Sequence, residues 1–282
     1  MRPKQWVKNI FLFAALVFDL QLFRVRSLLC TVAGFFFFSL IASSVYIIND
    51  LADIEKDRNH PVKCKRPLAA GKLSPRIAIV AAVILLIGSI AGGYLLDWRF
   101  GLLLTVYLAL NLLYSFYLKH IPLIDVLVLA SFYVLRVGAG VTLITVQRFS
   151  PWLFVCTTLL ALFIGLGKRR AELILLAEDA NSHRKVLEGY TIPFIDQLIV
   201  IVSGTTIVAY SLYTFSATNL PENHLMMLTI PFVLYGIFRY LYLINVKNEG
   251  GAPEEIVLRD WPFLINMVLW GFTSIAVLYL FT

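Results

Sequence analysis

The nine residues from Asn49 to Asp57 (NDLADIEKD) have the residue types and the spacing of a metal site. Asp50, Asp53 and Asp57 are spaced i, i+3 and i+7, so a helix places them on one face. Three carboxylates at a membrane boundary repel one another, and a divalent cation removes that cost. Because oxygen ligands suit Mg²⁺, we predict a magnesium site formed by Asn49 and the three aspartates. The alternative is a solvated helix end, and Glu55 points away from the face in either case.

A basic stretch follows these carboxylates directly. Acidic residues, Mg²⁺ and basic side chains together form a clamp for a diphosphate, and they stabilise the charge of departing pyrophosphate. Arg66 can bind two phosphate oxygens at once, whereas Lys63 and Lys65 act as point charges. We predict that all three bind phosphate. The alternative is that they only set the membrane topology and contact lipid head groups.

The composition places these residues in a membrane protein. Of the 282 residues, 60% are apolar and 15% are charged, whereas a soluble domain carries about 25% charged residues. Long apolar runs recur along the chain, so we predict an all-α, polytopic membrane bundle with a single domain over residues 1–282. The net charge of +7 does not indicate a nucleic-acid partner, because the basic residues are confined to loops at the membrane edge.

Nine apolar segments can be read from the sequence. They lie at 9–22, 28–48, 76–96, 99–118, 121–145, 151–167, 192–215, 225–245 and 262–281. The first is short and contains Asp19, so eight spans is the competing count. Nine spans with the N-terminus in the cytoplasm put most Lys and Arg residues inside, which is the arrangement that membrane insertion favours.

A second large cytoplasmic loop opens with Lys168, Arg169 and Arg170 and continues past Arg184. We predict that these cations form the second half of an anion site, together with Glu172. The alternative for Glu172 is an ion pair with Lys168, four residues before it on the helix. Because both large loops lie on one membrane face, we expect the site at the cytoplasmic mouth of a central cavity.

Four further residues are candidates for substrate contact, namely Lys8, Tyr117, Lys119 and Arg136. Tyr117 is alternatively an aromatic residue of the membrane interface. Lys119 and Asp125 either pair with each other or line the cavity mouth. Arg136 lies midway along an apolar span, where an unpaired cation is costly, so we expect an acidic or phosphate partner for it. The sequence leaves open whether that partner is a substrate or a buried carboxylate.

Three stretches carry a family resemblance: RPKQWVKN, NDLADIEKDRNHPVKCKRPLAAGKLS and YSFYLKHIPLIDV. They resemble the UbiA superfamily of intramembrane prenyltransferases over nearly the whole chain. The resemblance implies a UbiA-like bundle of nine transmembrane helices with a central cavity that opens to the cytoplasmic side. RPKQWVKN, HPVKCKRPLAAG and GKRRAEL are most similar to the subgroup that transfers a 5-phosphoribosyl group to decaprenyl phosphate.

That resemblance implies a Mg²⁺-dependent phosphoribosyltransferase in a bacterial plasma membrane, with its active site facing the cytoplasm. Phosphoribosyl pyrophosphate would be the donor and a polyprenyl phosphate the acceptor, and pyrophosphate would be released. The product would serve the synthesis of cell-envelope arabinan. Relatives make a homotrimer a candidate assembly.

One departure from the wider family bears on the substrate. Members that move a prenyl group carry a second cluster, D-x-x-x-D, in the second loop, where this chain has KRRAELILLAED. A site that is rich in cations suits a donor with an additional phosphate. The alternative is transfer of a prenyl chain from its diphosphate to an aromatic or other small acceptor. A transporter without chemistry is a more distant alternative.

Overall fold

The structure is a computed structural model that describes residues 3–58, 63–145, 151–178, 185–217, 220–247, 256 and 259–281. These residues form helices and connecting turns, without a strand among them. The α-helices are α1 (Phe13–Phe18), α2 (Val25–Ala52), α3 (Ile54–Arg58), α4 (Pro75–Leu96), α5 (Trp98–Phe116), α6 (Ile124–Thr142), α7 (Pro151–Glu178), α8 (Ile192–Ser216), α9 (Ile230–Asn245) and α10 (Trp261–Leu280). Short 3₁₀ segments connect them at Lys63–Lys65, Leu118–His120, Lys185–Gly189 and Leu225–Thr229.

Eight helical segments in the described part of the chain are long and apolar enough to cross a membrane. They are Val25–Ala52, Pro75–Leu96, Trp98–Phe116, Ile124–Thr142, Pro151–Ile174, Ile192–Ser216, Leu225–Asn245 and Trp261–Leu280. A ninth apolar segment, Gln5–Phe18, is shorter. It joins α1 to a 3₁₀ helix at Pro3–Leu12, and it packs against α2 and α6. The predicted all-α membrane bundle is therefore confirmed.

Helices that follow one another in the sequence pack side by side from α4 to α10, and α2 packs against α4 and α5. One buried apolar cluster lies among the N-terminal segment, α2, α5 and α6, and a second lies mainly among α6 to α9. Large apolar side chains such as Ile84 and Leu95 on α4 remain exposed. Exposed apolar side chains on a spanning helix are the expected contacts of the bilayer.

The N-terminal segment is inserted into the bundle rather than lying across its surface. The indole N–H of Trp6 donates to the Ser43 hydroxyl on α2 at 3.1 Å. Leu12 is fully buried, and its carbonyl oxygen lies where a side chain at position 140 on α6 would begin. Gly140 is therefore required by this close approach of two backbones.

Candidate active site

The carboxylates at the end of α2 remain on one helical face although α2 ends before the last of them. Asp53 terminates α2 with φ −103° and ψ 13°, and α3 begins at the next residue. The Asp53 amide still donates to the Asn49 carbonyl at 3.0 Å, and the Asp57 amide donates to the Asp53 carbonyl at 2.8 Å. The helical path is therefore nearly continuous, and Asp50 and Asp57 lie on the same side.

Arg66 lies between these two carboxylates. Its Nη1 donates to Asp50 Oδ1 at 3.1 Å and to Asp57 Oδ2 at 2.5 Å. Asp57 is buried, whereas Asp50 and Arg66 are partly exposed. The turn after Arg66 is closed by the Ala70 amide, which donates to the Arg66 carbonyl at 2.8 Å, and by Gly71 with φ +71°. Residues 49–76 form the first large loop predicted from the sequence. This first loop thus brings a cation and two carboxylates together.

A second polar cluster surrounds Asp125, which is fully buried at the start of α6. Its Oδ2 accepts from Arg169 Nε at 2.6 Å, and its Oδ1 accepts from the Tyr190 hydroxyl at 2.6 Å. The Tyr190 hydroxyl in turn accepts from the Leu123 amide at 2.6 Å, where Leu123 has φ +67°. Burial raises the pKa of Tyr190, and its bond to the Asp125 carboxylate raises that pKa further. Tyr190 therefore remains protonated and fastens the end of the second loop to α6.

The second loop predicted from the sequence begins as the last turns of α7, and the two arginines there are paired within the protein. Arg169 is 2% exposed, and besides Asp125 it donates to Glu172 and, at 3.2 Å, to the Tyr114 hydroxyl. Arg170 Nε donates to Asp196 Oδ1 at 2.7 Å, and its Nη1 donates to a carbonyl at the end of α9 at 2.9 Å. These pairs tie α5, α6, α7, α8 and α9 together beneath the second loop.

Arg136 is 4% exposed and has partners of a different kind. Its Nε donates to Asn9 Oδ1 at 2.8 Å, its Nη1 to the Phe132 carbonyl at 2.7 Å and its Nη2 to the Tyr107 hydroxyl at 3.2 Å. The guanidinium also lies 5.2–5.5 Å from the ring centroids of Phe38, Tyr107 and Tyr133. Among the described residues it contacts no carboxylate. The buried acidic partner that the sequence allowed is therefore not found in the described part of the chain.

The carboxylates of the first loop fit a magnesium ion that the substrate completes. Asp50 and Asp57 converge on one cationic nitrogen, which shows that their oxygens can share a positive group. The described residues do not bring three or more His, Cys, Asp or Glu side chains together as a metal cage. Mg²⁺ usually binds through one or two carboxylates and completes its shell with water and substrate phosphates, so two convergent carboxylates are sufficient.

Comparison with known proteins decides the family. The model of the UbiA prenyltransferase family matches residues 10–258. The chain belongs to the UbiA prenyltransferase family. It is 34% identical over 274 residues to the decaprenyl-phosphate phosphoribosyltransferase of Mycobacterium tuberculosis, covering 96% of this chain and 90% of the relative. It is 32% identical over 289 residues to the protein of the same name from Corynebacterium glutamicum, covering 99% and 86%.

The fold is also that of solved UbiA structures. A UbiA homolog from Archaeoglobus fulgidus bound to DMAPP and Mg²⁺ matches with a TM-score of 0.73 and 21% identity, covering 98% of this chain and 96% of that one. The apo structure of a UbiA homolog from Aeropyrum pernix matches with a TM-score of 0.70 and 15% identity, covering 98% of each. The predicted UbiA-like bundle is confirmed, whereas the central cavity stays a prediction.

The structure brings part of the predicted UbiA metal site together. Asp50 and Asp57 meet at Arg66, while the Asn49 side chain one residue earlier accepts from the Ser115 hydroxyl at 3.0 Å. Asp53 is partly buried at the helix break, and its role as a ligand stays a prediction.

The structure gives partners to two acidic residues near the second loop whose pairing the sequence left open. Glu172 pairs with Arg169, three residues before it. Asp125 pairs with Arg169 and Tyr190, so the pairing of Asp125 with Lys119 does not form. Lys119 lies partly buried in the 3₁₀ turn Leu118–His120, close to the docked end of the second loop.

The remaining predicted site residues differ in how exposed they are. Tyr117 is 69% exposed, which favours the interfacial aromatic over the substrate contact, and Lys65 is exposed beside Arg66. Lys8 and Lys168 are partly buried, and both make contacts within the protein. Arg184 and the side chain of Lys63 lie outside the described residues, so their roles stay predictions.

Sequence reasoning did not find the polar partners of Arg136. Asn9 is buried, and its amide donates to the Ser39 hydroxyl on α2 at 2.9 Å. The available signal was the pair Ser39 and Ser43, at i and i+4 inside a mostly apolar run that also contains Ser44. Polar residues that share a face of a membrane helix mark a buried contact rather than a lipid contact.

Proposed function

We propose that this UbiA family member transfers a 5-phosphoribosyl group from phosphoribosyl pyrophosphate to a polyprenyl phosphate such as decaprenyl phosphate, and releases pyrophosphate. It would act at the cytoplasmic face of a bacterial plasma membrane, and its product would feed arabinan synthesis in the cell envelope. Relatives named for this activity match nearly the whole chain, which supports the proposal.

The observation that carries the proposal is the contrast between the acidic residues of the two loops. In the first loop, Asp50 and Asp57 converge on a single cation, Arg66, which is partly exposed. The second loop has no D-x-x-x-D pair in its sequence KRRAELILLAED, and Glu172 there is held by Arg169, which is only 2% exposed. A site with one carboxylate pair and several cations suits a heavily phosphorylated donor better than a prenyl diphosphate held by several metal ions.

Asp50 and Asp57 would hold a magnesium ion at the donor diphosphate, with Asn49 and Asp53 as further proposed ligands. When bound, Mg²⁺ supplies charge neutralisation to the diphosphate as it departs. Arg66, already in contact with both carboxylates, would donate to diphosphate oxygens in the same place, and Lys63 and Lys65 would add positive charge beside it.

The second loop would contribute in two ways. Lys168 and Arg184 are proposed to serve the 5-phosphate or the lipid phosphate, together with Lys8 and Lys119. Arg169 and Arg170, whose guanidinium groups are bonded within the protein, would act by positioning the helices that carry the other cations. The direct phosphate contact expected for these two arginines from the sequence stays untested.

The reaction would break the bond between the ribose C1 and the diphosphate oxygen, so that positive charge builds on C1. An oxygen of the lipid phosphate would attack from the opposite face, so the anomeric centre inverts. A phosphate monoester is already ionised at neutral pH, and the reaction therefore does not require a strong general base. Catalysis would depend on positioning and on neutralising the leaving group.

A prenyl transfer is the second candidate. A solved UbiA homolog bound to DMAPP and Mg²⁺ shares the fold, and this favours a prenyl diphosphate donor. The lack of a D-x-x-x-D pair in the second-loop sequence KRRAELILLAED argues against it. The deciding experiment supplies purified protein with Mg²⁺, polyprenyl phosphate and ribose-labelled phosphoribosyl pyrophosphate, and measures label in the organic phase. EDTA is expected to abolish that label. If only a prenyl diphosphate with an aromatic acceptor gave product, the phosphoribosyl proposal would be wrong.

The first prediction concerns the carboxylate pair. Asp50→Asn is expected to lower turnover at least 100-fold at an unchanged melting temperature, because it removes a metal ligand on a partly exposed side chain. The matched control is Glu55→Gln, since Glu55 is 83% exposed on its side chain and pairs with Arg58 away from the site. The control is expected to stay within threefold of the unmodified enzyme. Equal losses in the two variants would contradict the metal assignment.

A further inference from the structure

We propose that Arg136 is a binding site for a phosphate monoester dianion, separate from the carboxylate pair that holds the diphosphate. The proposal rests on the proposed function, because that reaction supplies two ligands of this class. One is the 5-phosphate of the donor, and the other is the head group of the polyprenyl phosphate.

The charge balance of the interior singles out this residue. Five described arginines are buried or partly buried, and four of them contact a carboxylate: Arg66, Arg169, Arg170 and Arg239. Arg136 contacts none among the described residues. Buried charges in proteins are normally paired, and a cation within a membrane span usually faces a partner or a ligand. A positive charge without a carboxylate is therefore the expected receptor for an anion that arrives from outside.

The guanidinium also has donors to offer. It carries five N–H groups, and three of them are used by Asn9, the Phe132 carbonyl and the Tyr107 hydroxyl. The two that remain without a described partner are on the terminal nitrogens, which is the arrangement that binds two phosphate oxygens. Because Arg136 is 4% exposed, a phosphate held there is shielded from water, where charge-assisted hydrogen bonds are strongest.

A polar strip connects this guanidinium with the carboxylate pair. On α2, Ser39, Ser43 and Asp50 are spaced so that they share one face, and Ser39 lies about 16 Å along the helix from Asp50 at about 1.5 Å per residue. On α5, Tyr107 contacts Arg136 and Ser115 contacts Asn49, two turns further on. Hydroxyl and amide groups therefore occur at both ends of this interface, beside the apolar side chains of the same helices.

The variant Asn9→Asp tests the proposal with little disturbance of the fold. Asn9 Oδ1 already accepts from Arg136 Nε, so a carboxylate in its place forms an ion pair at the same position. The Ser39 hydroxyl, which accepts from the Asn9 amide, can donate to the carboxylate instead. In this variant the carboxylate at position 9 neutralises Arg136 in place of a bound phosphate. We expect the melting temperature of the variant to be unchanged or higher.

The measurement is the KM for each substrate at saturation of the other. We expect Asn9→Asp to raise one KM at least tenfold. A rise for phosphoribosyl pyrophosphate alone assigns the 5-phosphate to Arg136, and a rise for polyprenyl phosphate alone assigns the lipid head group. If both constants stay within twofold, or both rise together with a lower melting temperature, Arg136 has a structural role and the proposal is overturned.

A control variant separates this effect from the mere burial of a carboxylate. Asn266→Asp places a carboxylate on α10. The Asn266 amide donates to the Phe232 carbonyl at 2.8 Å, and its described hydrogen bonds do not include an arginine. It is expected to lower the melting temperature and to leave both KM values within twofold. A tenfold rise in KM for this control would remove the support that Asn9→Asp gives.

A binding experiment keeps the two proposals distinguishable if the unmodified enzyme transfers no phosphoribosyl group. The probes are then ribose 5-phosphate and polyprenyl phosphate, each added to the purified protein, and the readout is the rise in melting temperature. If Arg136 binds phosphate monoesters, at least one probe raises the melting temperature of the unmodified protein and does so less in Asn9→Asp. Equal shifts in both proteins, or no shift in either, would overturn the inference about Arg136 independently of the reaction.

Discussion

Arg169 and Arg136 lie on adjacent helices and are almost equally buried, with 2% and 4% exposure, yet they are stabilised in opposite ways. Arg169 contacts two carboxylates, Asp125 and Glu172. Arg136 contacts an amide, a carbonyl, a hydroxyl and three aromatic rings. In the first region the carboxylates more than balance the arginine, and their contacts hold helices together. The second retains a net positive charge, which is why we assign a ligand to Arg136 and not to Arg169.

The largest expected effect comes from the region around Asp125. Asp125→Asn removes the charge of a buried carboxylate that accepts from both Arg169 Nε and the Tyr190 hydroxyl. Losing charged hydrogen bonds at a buried acceptor costs about 3 kcal/mol. We expect a clear fall in the melting temperature of the detergent-purified protein. Arg136→Met is the comparison, because it removes a buried cation without leaving a carboxylate behind, and its loss should be less than half as large. Equal losses would show that the two arginines do not differ as described.

An intermediate effect is expected where the N-terminal segment meets α6 near Arg136. Gly140→Ala directs a methyl group into the Leu12 carbonyl oxygen, and a backbone atom cannot move aside as a side chain can. We expect a loss of about 2 kcal/mol, typical of overpacking. Gly138→Ala is the matched control on the same helix, since its nearest contact would be Leu103 Cδ1 at 4.0 Å. The melting temperature of this control should be unchanged or slightly higher. A fall equal to that of Gly140→Ala would refute the close approach of the two backbones.

The smallest effect compares one hydroxyl from each region. Tyr190→Phe removes a bond to the Asp125 carboxylate and leaves the Leu123 amide without its acceptor, at a cost of about 1.5 kcal/mol. Tyr107→Phe removes one of several neutral contacts of Arg136, at a cost of about 0.5 kcal/mol. The difference in melting temperature between the two variants measures how much the charge of Asp125 contributes. A larger loss for Tyr107→Phe would reverse the comparison.

Local sequence patterns were sufficient for the helices and for the first loop. The long apolar runs predicted the spanning helices, because the bilayer imposes both length and composition on them. The spacing of Asp50 and Asp57 predicted that they would meet, because two turns of helix return a side chain to the same face. The outward position of Glu55 followed from the same periodicity.

The partners of the buried arginines could not be predicted in this way, because they come from distant parts of the chain. Arg169 meets Asp125 across 44 positions, and Arg136 meets Asn9 across 127. A single sequence contains no signal for such pairings. Three consecutive basic residues at 168–170 therefore indicated a free anion site, whereas packing pairs two of them with carboxylates.

The 3₁₀ winding of the N-terminal segment increases the length that its residues span. A 3₁₀ helix rises about 2.0 Å per residue and an α-helix about 1.5 Å, so Pro3–Leu12 followed by Phe13–Phe18 extends about 29 Å with only sixteen residues. That length equals the hydrocarbon thickness of a typical bilayer, which an ordinary α-helix would need about twenty residues to reach. Because of the 3₁₀ winding, a segment with fewer residues than a spanning α-helix needs is still about as long as the hydrocarbon layer is thick.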